Sequence, residues 1–395
     1  MTGVSMKTYI MVFGSVALLI IFASISMASN SLISGSLKYN KINIPSLSSV
    51  NNEGMALLPV VTNSYQFKTL AHNTKYYINA NYSFGGESKN GTQIMETIIF
   101  FSPDNSSYIV TDIYTSNDVI KNMYLNKMVR NVSFTGSGVQ SPDWSGWVAQ
   151  YCTNNNIIYC GGTGPVGNSY GNVQIPSTIS APSGAGAGCC VFGEWTGVST
   201  DIYGDNLTQG GIAWAGDNQN PSTLFNSNSS GGFTFFVERL EPRSNFLLFL
   251  TPPSWFTGKG QTVTLETKLS SANCGSGGDI WEEVWTNGTN SKYQSIGCDK
   301  TSSDYYSMFI FESPAGCLGA SGCYTFGGNS YFQLPDFSTV SFTGNICGYS
   351  GGSCVGIDTN NNPVSANYIE HNSQDTSTSS ISNGNSWTIG WLSSS

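Results

Sequence analysis

The sequence predicts an all-β protein built as an antiparallel sandwich, with a smaller β-rich region in front of it. Three observations lead there. Glycine is abundant, at 45 of 395 residues, and Ser, Thr and Asn are frequent. Only 10% of residues are charged while 13% are aromatic, the composition of a folded chain with a neutral polar surface. Beyond about residue 143, short runs of alternating apolar and polar residues are separated by Gly, Asn and Ser turns, as in Thr262-Val263-Thr264-Leu265-Glu266-Thr267. Alternation places one face of a strand in the core and the other in solvent or against a ligand. Many such runs at close spacing make a sandwich.

At the N-terminus, Lys7 precedes an apolar run over residues 9–25 that ends in Ser26-Met27-Ala28. A charged start, an apolar core and a small-residue cleavage site are the layout of a secretory signal, so residues 1–28 are expected to direct export. The run approaches the ~20 residues that span a bilayer, so an uncleaved anchor is the alternative. Residues 29–140 contain no cysteine and are expected to form a β-rich propeptide or accessory region, with strands at 76–84, 97–101 and 108–114. The last two flank a turn at Ser102-Pro103-Asp104-Asn105. The polar stretch 135–142 reads as a linker. Residues 141–395 form the body, with strands expected at 171–175, 193–198, 210–214, 233–239, 246–250, 262–267, 280–286, 306–312 and 338–342. No helix is expected there, and a polar tail follows about residue 345.

The body holds six Lys and Arg against 18 Asp and Glu, whereas residues 29–140 hold eight against six. A slightly basic leader before an acidic body fits an inhibitor and its enzyme. Few charges also mean few paired carboxylates to lose by protonation, which suits an acidic medium. All ten cysteines lie at or after Cys152, an even count that reads as disulfides in an exported chain. Their spacing suggests Cys152 with Cys160, Cys317 with Cys323, Cys347 with Cys354 and, more loosely, Cys274 with Cys298. A bridge between the adjacent Cys189 and Cys190 would be strained. Seven sequons, at Asn81, Asn90, Asn105, Asn131, Asn206, Asn228 and Asn287, add to the case for export.

Several chemistries fall away on motif grounds. Gly167-Asn168-Ser169-Tyr170-Gly171 and Gly348-Tyr349-Ser350-Gly351-Gly352 both fit Gly-x-Ser-x-Gly, but a nucleophile elbow needs an α/β turn and a partner histidine. Only His72 and His371 exist, so both motifs read as turns. There is no zinc-peptidase His-Glu-x-x-His and no Cys-x-x-Cys, so no metal or cofactor is expected. Carboxylates remain. Glu238 and Glu312 each sit in an otherwise apolar strand, where desolvation favours the protonated form and suits a group that must act as base and then acid.

Read in order, the body carries Asp143-Trp144-Ser145-Gly146, then Glu194-Trp195-Thr196-Gly197-Val198, then Leu207-Thr208-Gln209-Gly210-Gly211. Phe236-Val237-Glu238 with Glu241-Pro242 comes next. Last are Met308-Phe309-Ile310-Phe311-Glu312 and Cys317 with Cys323. This ordered set resembles the glutamic endopeptidases (eqolisins) over about residues 143–345. The resemblance implies a sandwich of two large sheets, lectin-like (concanavalin-like) in layout. It implies Glu312 as general base and then acid, Gln209 as the amide that orients the water and donates to the oxyanion, and Trp195, Glu238 and Trp144 as cleft residues. Ser199 and Ser313 stand where the family carries acids. Arg239 replaces an aromatic residue and is expected to put a cation beside the cleft.

The implied function is a secreted acid endopeptidase, monomeric, acting on unfolded proteins or peptides. No nucleic-acid partner is expected, and a membrane only if the N-terminal segment is uncleaved. Two other readings are consistent with the residues. One is a non-catalytic carbohydrate-binding or adhesion module, whose Trp and Tyr would stack on sugars. The other is a glycosidase using Glu238 and Glu312 as its carboxylate pair.

Overall fold

The computed structural model describes residues 31–33, 51–79, 82–128, 140–141, 144–150, 166–185, 189–200, 206–216, 225, 232–240, 246–272, 278–299, 304, 306–315, 323–326, 329–349, 354–357, 364–370, 373–374, 376–381 and 385–391. The apolar segment at 9–25 and Cys152, Cys160, Cys274 and Cys317 lie outside them. Among the described residues no helix is long and apolar enough to cross a membrane.

The fold is all-β, with two large and almost wholly antiparallel sheets. After a short strand at Ser31–Ile33 the next described part is helical, against expectation: α1 (Asn51–Asn63) and α2 (Tyr65–Ala71). Gly54 and Pro59 inside α1 hid it from propensity reasoning. Ser64 caps α2 by accepting from the Phe67 amide at 3.1 Å. Both helices pack on strands through Leu57, Leu58, Val61 and Phe67. The strands are β1 (Tyr76–Ile78), β2 (Phe84–Lys89), β3 (Thr92–Phe101), β4 (Ser107–Tyr114) and β5 (Val119–Lys127). The single strand expected at 76–84 is two, because the Tyr82 and Ser83 amides turn back onto the Asn79 carbonyl.

The body strands are β6 (Trp144–Gln150), β7 (Val166–Gln174), β8 (Val191–Ser199), β9 (Leu207–Ala215), β10 (Phe233–Leu240), β11 (Phe246–Leu250), β12 (Thr262–Ala272), β13 (Asp279–Asn287), β14 (Asn290–Asp299), β15 (Tyr306–Glu312), β16 (Val340–Thr343), β17 (Asn345–Gly348), β18 (Val364–Glu370) and β19 (Ser386–Trp391). A nine-stranded sheet runs β11-β10-β9-β8-β15-β6-β18 and on to a short edge strand. A 15-stranded sheet includes β3-β2-β14-β13-β12-β7-β16-β19 in that order, with β4 and β5 continuing from β3 and β17 beside β7. The tail after 345 is therefore woven into both sheets rather than trailing free. The alternation Trp387-Thr388-Ile389 drives this: Trp387 and Ile389 are buried, and Trp387 stacks on Phe342 with ring centroids 5.8 Å apart.

The sheets are held face to face by one apolar cluster that mixes Phe192, Ile212, Val237, Phe309 and Phe311 from the first with Val173, Leu265, Trp281, Trp285 and Ile296 from the second. Burial of this kind is worth about 25 cal/mol per Å² of apolar surface and dominates the stability of such a layered fold. Two carboxyls lie in the same layer. Glu283 accepts from the Thr267 hydroxyl at 2.7 Å, and Glu194 meets no donor among the described residues. Burial pushes both well above the ordinary carboxylate range.

The first Gly-x-Ser-x-Gly match is not a turn. Gly167 to Gly171 lie inside β7, where Ser169 is buried opposite Thr267 and Ile346. A Cβ at Gly171 would lie 1.8 Å from the Thr343 carbonyl, so the glycine is there to admit a neighbouring backbone. Cys347 and Cys354 are bridged as the spacing suggests. Cys298 and Cys323 each take part in a disulfide. Cys189 and Cys190 pair with each other, with Cα atoms 3.0 Å apart.

Candidate active site

Register alone brings the candidate residues together. On β15, Glu312 lies opposite Trp144 of β6 on one side and Gly193 of β8 on the other. Two residues along β8, Trp195 lies opposite Gly211 of β9, and Gly197 opposite Gln209. Gln209 in turn lies opposite Glu238 of β10, and Glu238 opposite Leu247 of β11. Directly opposed residues share a face, and so do residues two apart on a strand. Trp144, Trp195, Gln209, Glu238 and Glu312 therefore all project from one face of the nine-stranded sheet. That face points away from the second sheet. Its apolar residues, Val148, Ala213, Phe236, Phe249, Met308 and Ile310, form a cluster separate from the one between the sheets.

The contacts on this face are specific. The Trp195 indole Nε1–H donates to Glu312 Oε2 at 2.5 Å. Trp144 packs edge-on against Trp195 with ring centroids 5.4 Å apart, which fixes the indole. The Gln209 amide Nε2 donates to Glu238 Oε2 at 2.8 Å. Every one of the five is at most 2% exposed. In such a setting each polar contact is electrostatically stronger than in water. Phe225 and Phe332 pack onto the same face, Phe225 with its ring 4.9 Å from Phe249. The Phe332 segment is tied to the end of β15 by the Phe332 amide on the Pro314 carbonyl at 3.1 Å and by the Ser313 hydroxyl on the Phe332 carbonyl.

Glu312 and Gln209 are two strands apart and offset by four residues, which in a flat sheet is roughly 16 Å between Cα atoms. Side chains leaning toward each other by on the order of 4 Å each would leave roughly 8 Å, room for one water and a carbonyl. Gly193 and Gly197 put no side chain into that space. Trp195 bounds it. Glu238 and Glu312 are three strands apart, roughly 19 Å between Cα atoms by the same reckoning. That leaves more than the about 5–9.5 Å over which paired glycosidase carboxylates work.

The chain is similar to glutamic peptidases. Solved structures that match include scytalido-glutamic peptidase with a peptide-based transition-state analogue, at 14% identity and a TM-score of 0.41, covering 64% of this chain and 98% of that one. SCP-B, an eqolisin-family peptidase in complex with the tripeptide Ala-Ile-His, matches at 15% identity and a TM-score of 0.38 over 64% and 98% of the two chains. Aspergilloglutamic peptidase from Aspergillus niger matches at 18% identity and a TM-score of 0.32, over 51% and 99%. No protein-family model and no curated protein sequence matches the chain.

Two expectations about the site need correction. Arg239 does not bring a cation to the cleft. It alternates with Glu238 and so projects from the opposite face, where Nη1 donates to the Cys298 carbonyl and Nη2 to the Tyr82 hydroxyl at 2.7 Å. The tryptophans offered for stacking on sugars are mostly interior: Trp144, Trp195, Trp214, Trp281, Trp285 and Trp387 are all buried. The sequence reading also gave no role to Gly146. This residue holds φ of +149°, and a Cβ there would lie 2.0 Å from the Phe309 carbonyl of β15. Only glycine lets β6 approach the strand that carries Glu312. Gly146→Ala is expected to destabilise the fold by about 2–4 kcal/mol, read as a lower urea midpoint.

Proposed function

We propose that this chain is an exported endopeptidase that hydrolyses peptide bonds of unfolded proteins in acid, using Glu312 and Gln209. One observation carries the reading: a single buried sheet face holds a carboxylate gripped by an indole N–H and, two strands away on the same face, an amide gripped by a second carboxylate. In the proposed cycle the Glu312 carboxylate takes a proton from water as the water oxygen attacks the substrate carbonyl. The Gln209 amide donates to the oxygen that becomes negative. Glu312 then returns the proton to the leaving nitrogen as the C–N bond breaks. Trp195 aims the carboxylate, and Glu238 fixes which end of the amide it holds. The neutral amide needs no titration, so only one group sets the protonation requirement. Substrate enters when residues packed over the face, Phe225 and Phe332 among them, draw back.

The export signal and low charge support secretion into an acidic medium. The test is digestion of acid-unfolded casein or globin by the secreted protein across about pH 2 to 7, with products sized by mass spectrometry. Internal cleavage confined to the acid range is expected. A folded protein that cleaves nothing at any pH would sink the reading.

A further inference from the structure

The composition suggested that residues 29–140 could be a removable leader. The geometry points to residues 51–128 as a permanent part of the catalytic body, bound without any covalent link other than the chain itself. The inference does not depend on which reaction the body performs.

Three contacts carry it. First, β2 is a strand of the body's own sheet. Lys89 to Gly85 pair with Asn290 to Gln294 of β14, and Ser88 and Ser291 meet through their hydroxyls at 2.6 Å. Within that pairing Glu87 and Lys292 face each other at 3.6 Å, with 5% and 1% of their side chains exposed. Removing β2 would leave Lys292 buried and unpaired and Gln294 without the Tyr82 and Phe84 carbonyls it donates to at 2.9 and 3.0 Å.

Second, β11 is the edge strand of the nine-stranded sheet, and its outer backbone groups need partners. Two tyrosines from the N-terminal strands supply them. The Tyr108 hydroxyl accepts from the Phe249 amide at 3.0 Å and donates to the Phe249 carbonyl at 3.3 Å. The Tyr124 hydroxyl accepts from the Thr251 amide at 3.3 Å and from the Thr251 hydroxyl at 2.8 Å. Tyr108 is fully buried in this position. Third, Tyr82 packs at a tilt against Phe246, ring centroids 4.7 Å apart, and receives the guanidinium of Arg239, the residue next to Glu238. Tyr77, Ile99, Phe101, Tyr108 and Val110 belong to the same apolar cluster as the inter-sheet core. Helices α1 and α2 pack on the other side of these strands and stay with them.

All ten cysteines lie at or after Cys152, so no disulfide can tie this region to the body. Its retention after chain cleavage is therefore a direct reading of the interface. A site-specific protease sequence is inserted after Gly138 in the full-length protein, and the product is cut at neutral pH and passed through a sizing column. Co-elution of both pieces, separating only in denaturant, is expected. Separation accompanied by unfolding of the 139–395 piece would also support the inference, since the body then needs the region to fold. Release of a fragment containing residues 51–128, with the remaining body keeping its circular dichroism and melting temperature, would overturn it. In a second arm, Tyr108→Phe with Tyr124→Phe keeps the rings and removes the hydroxyls. The urea concentration that separates the cut pieces should fall. An unchanged value would refute the role of the edge contacts.

Discussion

Glu312→Gln is expected to lower kcat for peptide hydrolysis by about three to four orders of magnitude, with folding intact. The substitution keeps the shape of the side chain, and the Trp195 indole can still donate to the amide oxygen. What is lost is the group proposed to take the proton from water and return it to the leaving nitrogen. Gln209→Ala removes the donor to the developing oxyanion and should cost about 100- to 1,000-fold. In the proposed cycle the two groups act on one water and one carbonyl. The double variant should therefore fall little further than Glu312→Gln alone, because residues that act as a unit are not additive. The measurement is kcat and KM on one unfolded substrate at the optimum pH, with melting temperature as the folding control. Either single variant retaining more than about a tenth of wild-type kcat would remove the pair from the mechanism.

The second large effect is on stability. Glu194 and Glu283 lie between the sheets with no cation beside them among the described residues, and burial raises both well above their usual 4.5. A third carboxyl, Glu96 under α1, is pushed by burial up to about 8. In strong acid the folded and unfolded chains both hold these protons, and the groups cost nothing. As pH rises through about 4.5 the unfolded chain ionises while the folded chain does not. Each further pH unit then favours unfolding by up to ~1.4 kcal/mol per group until the folded pKa is reached. The protein should be most stable in acid and lose stability steadily toward neutrality, the reverse of ordinary acid denaturation. Urea midpoints between about pH 3 and 8 would show it, and Glu283→Gln or Glu194→Gln should flatten the slope. Equal midpoints at both ends would contradict the neutral, buried state of these carboxyls.

Much of the strand pattern was legible because alternation is a local property. The runs expected at 246–250 and 306–312 match β11 and β15 residue for residue, and those at 193–198, 210–214, 233–239, 280–286 and 338–342 fall within three residues of the observed strands, whereas 97–101, 171–175 and 262–267 cover only parts of longer ones. Local reasoning failed where a tertiary partner overrode it. The helix α1 was not foreseen in a region read as β-rich; it carries Gly54 and Pro59, and its apolar side is buried on β strands. Ser169 sat in a glycine-rich stretch that looked like a turn, yet β12 and β17 claim it as a strand.

The candidate site divides the same way. Glu312, Gln209, Glu238, Trp195 and Trp144 could be named from ordered motifs, because residue type and spacing along a strand are written in the chain. Which face each occupies was not written there. Arg239 and Glu238 are neighbours in sequence, and only the pairing of β10 with β9 and β11 sends one to the site and the other to Tyr82. The sequence by itself determined most of the strands and the chemistry available. Pairing between distant segments decided that the chemistry shares one face and that residues 51–128 belong to the body. Those pairings depend on contacts between residues up to some two hundred positions apart, such as Ser88 with Ser291, and no local pattern encodes them.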